Sequence, residues 1–215
     1  GMSDAGATLF ARYAFPPNEL GYCGPDGVAP AELGRRARDF EGAWAYLCFI
    51  ASSAGIADPL DERVVAAYWL GGTLLDLVDG DALADVLRSR FAGQYRGSRA
   101  MAHHSFHVFE VYPWLSLLRR TGSSHAVSVL DRCRIRTGMV SSIHGLHAVV
   151  RSPALAWRDG TLAVGDLHSE QVRWERSLLP ELAVGDRVTL HWDWVCDVVT
   201  QADDTRLRDQ LRGWL

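Results

Sequence analysis

The apolar periodicity of this chain changes once, near residue 131, and that change limits what it can fold into. Upstream, apolar residues recur every three or four positions. Downstream they alternate over short runs separated by turn signals. Leu33, Ala37, Phe40, Trp44, Leu47 and Cys48 make one stripe opposite Arg35, Arg36 and Asp39, which predicts an amphipathic helix over residues 30–53, with Pro30 tolerated in its first turn. Further helices are expected over 61–77, 81–91, 115–120 and 124–131. The opening run from Tyr13 to Pro25 is too rich in proline and glycine for a helix and reads as an ordered loop laid against the protein.

From Cys133 onward, residues 135–143, 147–151, 154–158, 161–167, 171–175 and 187–199 read as short strands. Asp159-Gly160 is a strong hairpin signal, and Gly165-Asp166 and Gly185-Asp186 are expected turns. Residues 202–215 return to helical spacing, with Leu207, Leu211 and Trp214 on one face, so this helix either covers a barrel end or pairs with another chain in a homo-oligomer. The expected class is α+β. An all-helical domain with an irregular N-terminal segment, residues 1–131, precedes a small OB-like β-barrel with a C-terminal helix, residues 132–215.

Composition removes several function classes. The chain has 215 residues, is 48% apolar and 22% charged, and carries a formal charge of -4. Its 22 basic residues are all arginine. Without lysine there is no Walker A phosphate loop, no Schiff-base enzyme and no kinase in its usual form, although codon bias in a GC-rich genome accounts for the absence equally well. Arginines are interspersed with acids, so no basic tract points to nucleic acid. Cys23, Cys48, Cys133 and Cys196 lie far apart, and no signal peptide or long apolar run accompanies them. A reduced, cytoplasmic protein that does not enter a membrane is the expectation.

Two groups of residues have chemistry to offer. Cys133 sits where helix gives way to strand, between Arg132 and Arg134, whose charges would favour a thiolate. Alternation along 187–199 puts Val188, Leu190, Trp192, Trp194, Cys196 and Val198 on a core face and His191, Asp193, Val195 and Asp197 on the other, where Asp193 could orient the His191 imidazole. An ordinary solvated face explains that pattern as well. His103, His107 and Glu110 would share one face of a helix at a spacing a metal can use, with Cys23 as a further ligand, in a metal-dependent enzyme. The competing reading is histidines tied into a buried polar network.

The strings Cys133-Arg-Ile-Arg-Thr-Gly138-Met-Val140 and Gly185-Asp186-Arg-Val188-Thr-Leu-His191 together resemble the HypC/HupF family of nickel-iron hydrogenase maturation chaperones, over residues 131–212. That family has a cysteine, three mostly apolar residues, Pro-Gly, any residue and Val, then Gly-Asp, any residue, Val, two residues and His. Thr137 stands here in place of the proline, and Cys133 follows a helical domain instead of heading the chain. The resemblance implies a non-enzymatic accessory protein that handles a transiently bound iron carrying cyanide and carbon monoxide. Cys133 would be its essential contact and His191 its assistant, and the partners would be maturation proteins or a hydrogenase large subunit. The whole chain also looks like an uncharacterised actinobacterial family.

Overall fold

Leu9, Phe10, Tyr13 and Ala14 fall on one helical stripe, and all four are buried. In the computed structural model, which describes residues 2–215, they belong to helix α1 (Met2–Glu19). The expected irregular opening is therefore a helix that runs through Pro16 and Pro17. A proline inside a helix costs about 3 kcal/mol, and here aromatic packing opposes that cost: Phe10 meets Phe40 edge-on at 5.2 Å, and Tyr13 stacks on Trp69 at 5.3 Å. The loop reading holds only after Glu19, where the Asn18 side-chain amide donates to the carbonyls of Cys23 and Pro25.

The helix expected over 30–53 is two elements. A 3-10 segment (Pro30–Asp39) ends where Phe40 leaves helical backbone at φ -93 and ψ 82, and α2 (Glu41–Ala54) follows. Likewise α3 (Glu62–Leu70) stops at the poor helix formers Gly71 and Gly72, and a short 3-10 turn (Thr73–Leu77) completes the expected 61–77 span. Then come α4 (Gly80–Arg90), capped by the Asp79 carboxylate, a single turn α5 (His104–Phe106), and a π-helical turn (His107–Val111). The first compact unit ends at Pro113.

The second unit, Trp114–Leu215, contains helices as well as strands. Its helices α6 (Trp114–Thr121) and α7 (Ser124–Cys133) precede β1 (Arg136–His144), so the change in periodicity marks a change of element within the unit, whereas the expected boundary followed residue 131. The reason is visible in α7, whose Asp131 carboxylate accepts the Leu155 N–H at 2.9 Å and so binds the helix to the second strand. That strand, β2 (His147–Arg158), and β3 (Thr161–Trp174) are long and continuous, each replacing two expected short ones. Asp159 and Gly160, at φ 53 and 74, join them as a tight hairpin turn with both residues left-handed. Gly165-Asp166 is no turn but an irregularity within β3, where the register against β2 shifts.

The expected strand over 187–199 is a hairpin, β4 (Arg187–His191) and β5 (Trp194–Val198), because Trp192 adopts φ 53. Pairing runs β1-β2-β3-β5-β4 and closes into a barrel, with β3 and β5 parallel and the other pairs antiparallel. Val140, Ala148, Val150, Val172, Trp174, Val188, Leu190 and Val195 fill it. Val195 thus points inward, although alternation assigned it to the outer face, and Val198 is exposed although alternation assigned it to the core. The turn at Trp192 resets the phase. Last comes α8 (Gln201–Arg212), held at its start by a reciprocal Thr200/Asp203 capping box. No helix among the described residues is long and apolar enough to cross a membrane.

Candidate functional site

The two motif strings are neighbouring strands. Gly138 lies opposite Val188 and Thr137 opposite Thr189 in the β1–β4 ladder. The ladder continues beyond the start of β4, where Val140 N–H donates to Asp186 O at 3.0 Å and Gly185 N–H donates to Val140 O at 2.8 Å. Gly138 is needed because a Cβ there would meet Val150 Cγ1 at 2.5 Å and Arg151 O at 2.7 Å. At the far end, Trp192 N–H donates to Arg132 O at 2.9 Å. This bond joins the residue after His191 to the residue before Cys133.

The surroundings of both residues differ from the sequence reading. Cys133 is the last residue of α7, half-buried. Its flanking guanidiniums are engaged: Arg132 pairs with Asp193, and Arg134 pairs with Asp131 at 2.9 Å and donates to Pro153 O at 3.1 Å. Two nearby carboxylates therefore offset the positive field expected around the thiol. His191 is buried, on the opposite side of β4 from Val188 and Leu190, where a solvated face had been the ordinary expectation. The Asp193 carboxylate is exposed and reaches Arg132, so the expected His191 orienter is spent on tethering the hairpin turn to α7.

Sequence reasoning missed the charged group inside the barrel. Arg136 is 2% exposed and forms a two-pronged pair with Glu170, at 2.5 and 3.3 Å, while donating to Trp192 O at 2.7 Å. Ser152 donates its hydroxyl to the same carboxylate at 2.6 Å. Burial alone would raise the Glu170 pKa, but hydrogen bonds and charge from Arg136, then Ser152, leave it lowered. One Arg136 donor, Nη1, is buried without a partner among the described residues. A signal existed: Arg136 shares its phase with Gly138 and Val140, and Glu170 shares its phase with Val172 and Trp174, so opposite charges lie on two inward faces.

In the first unit the histidines join aromatic packing. His107 Nδ1 is hydrogen-bonded to the Tyr46 hydroxyl at 2.9 Å, and its ring packs edge-on against Tyr46, Phe91 and Tyr112. His103 Nδ1 accepts the Phe106 N–H at 3.0 Å, capping α5. Burial, reinforced by charge on His104, lowers the pKa of His103 to about 4 and of His107 to about 3, so both are neutral. Glu110 is exposed, because the π-helical turn removes the i, i+3 relation a regular helix would supply. Cys23 is half-buried, and burial pushes its thiol up to about 11. Among the described residues, no three His, Cys, Asp or Glu side chains are placed to hold a metal ion.

Comparison with curated proteins and with solved structures gives no match. A family model does match, over residues 2–215, covering the helical unit and the barrel together. This chain accordingly belongs to the family of unknown function DUF6390.

Proposed function

We propose that this protein is a non-enzymatic accessory protein of the hydrogenase-maturation kind, which presents Cys133 and His191 to an iron-containing cargo or to the partner that carries it. The closed barrel is read as OB-like, since an antiparallel five-stranded closure with one parallel β3–β5 contact suits that small Greek-key form. The observation that carries the reading is the pairing of the two motif strings as β1 and β4, tied at their ends by the Trp192–Arg132 hydrogen bond. The two strings that carry the resemblance are thus neighbours in the sheet.

The donor set suits a carrier. A cysteine thiolate binds iron strongly and an imidazole gives a labile second contact. Cargo that brings its own cyanide and carbon monoxide ligands needs few protein donors. Because His191 is buried, its engagement requires the Trp192-Asp193 turn to move, which would release the exposed Arg132–Asp193 pair and the hydrogen bonds that Trp192 and Asp193 make with Arg132, Arg136 and Arg173.

Anaerobic purification of the full chain from a hydrogenase-producing host, comparing wild type with Cys133→Ala, tests this. Infrared bands of cyanide and carbon monoxide should accompany wild-type protein and vanish in the variant. If wild type carries neither bands nor maturation proteins, the reading fails.

A further inference from the structure

β3 has one satisfied edge and one open edge. β2 pairs with it from Arg158 opposite Thr161 to His147 opposite Arg173. On the other side, β5 meets it only at Arg173 and Trp174. A single bond fixes the direction of its backbone groups: Arg173 N–H donates to Asp193 O at 2.8 Å, on the β5 side. Amide and carbonyl switch sides with each residue, so Gln171, Ser169 and Leu167 aim theirs at the open edge. Pro153, opposite Leu167, agrees with this phase, since a proline lacks the N–H that a bonded position would use. All three residues are exposed, Leu167 by 59%. Free edges of this kind template pairing with another strand.

We propose that this edge pairs with the same edge of a second copy, antiparallel, about a two-fold axis through Ser169. Charge selects the register. An axis at His168 would set Asp166 against Glu170, and an axis at Glu170 would set two carboxylates face to face. An axis at Leu167 would run through the bulge, where Gly165 and Asp166 together oppose Ala154. At Ser169, Leu167 faces Gln171, His168 faces Glu170, and no like charges meet. The Leu167–Gln171 segment keeps an unbroken register with β2, and the bulge at Gly165-Asp166 bends the incoming strand away before it reaches β5. The Leu167 side chain, pointing outward, is covered by the copy's Gln171. This surface is independent of Cys133 and His191, so it stands or falls apart from the carrier reading.

A ladder this short buries less than the roughly 1,200 Å² of a standard interface, so the dimer is weak and concentration-dependent. Sedimentation equilibrium of the full chain from about 10 μM to about 1 mM spans the range in which such interfaces associate. Wild type should shift from monomer toward dimer. Ser169→Pro removes an outward N–H and leaves the β2–β3 ladder whole, and it should weaken association at least about tenfold. Ser169→Cys should yield a cross-linked dimer with oxidised glutathione, above the wild-type background, because facing residues on the axis lie about 5.5 Å apart. Gln171→Cys, which faces Leu167, should not. A monomer at every concentration, a dimer indifferent to Ser169→Pro, or equal cross-linking at 169 and 171 would overturn the proposal.

Discussion

Arg136 and Glu170 show how a single pair can decide the stability of a small barrel. A buried ion pair loses much of its Coulomb gain to desolvation, but deleting one partner strands the other charge in apolar surroundings. Arg136→Ala should therefore destabilise the protein by about 3 kcal/mol in urea denaturation. Arg136→Met combined with Glu170→Leu should recover most of that loss, since both charges leave together. A double variant as unstable as the single one would contradict this account. Tyr46→Phe removes the hydroxyl bonded to His107 Nδ1 and should cost about 1 kcal/mol, with the fold unchanged.

Among elements, α8 depends on one carboxylate. Asp204 is 5% exposed and accepts from Thr137 of β1 at 2.5 Å, Arg187 of β4 at 2.9 Å and Arg208 of its own helix at 3.0 Å. Burial pushes its pKa up, but the Thr137 hydroxyl and the two guanidiniums outweigh burial and hold it below the usual carboxylate value. Asp204→Ala should cost about 2 kcal/mol, discounted because Arg187 and Arg208 are partly solvated. The capping box is a separate device, and Thr200→Ala should cost about 1 kcal/mol. Chemical denaturation checks both values. Helical signal lost with the barrel intact would show that α8 peels off by itself.

For the whole molecule, four buried groups give acid sensitivity of one sign. His103 and His107 have folded pKa values of about 4 and about 3, below the ordinary 6.5. The unfolded chain thus binds their protons first, and stability present above pH 6.5 falls as pH drops toward those values. Glu170 and Asp204 are also lowered, so they add to the loss below their ordinary values of 4.5 and 3.8. Thermal denaturation should show Tm declining from pH 7 to pH 4, and a flat profile would count against neutral buried histidines. Substituting His107 by Gln should flatten the upper part of the decline. Because the Trp114–Leu215 unit has its own apolar core, that fragment should fold alone, with dispersed amide resonances.

Local physics carried much of the architecture in the sequence. Alternation located the strands, the Asp159-Gly160 dipeptide located their tightest turn, and three-to-four spacing located α4, α6, α7 and α8, because each signal depends on neighbours in the chain. Tertiary structure alone decided the rest. Aromatic contacts with Phe40 and Trp69 accompany the run of α1 through two prolines, and the Trp192 turn breaks one expected strand and rotates its faces. The partners of Arg132 and Arg136, and the Thr137 and Arg187 partners of Asp204, come from residues 17 to 67 positions away. No window of sequence contains both members of such a pair, so the charges that look free along the chain become engaged only when the barrel closes.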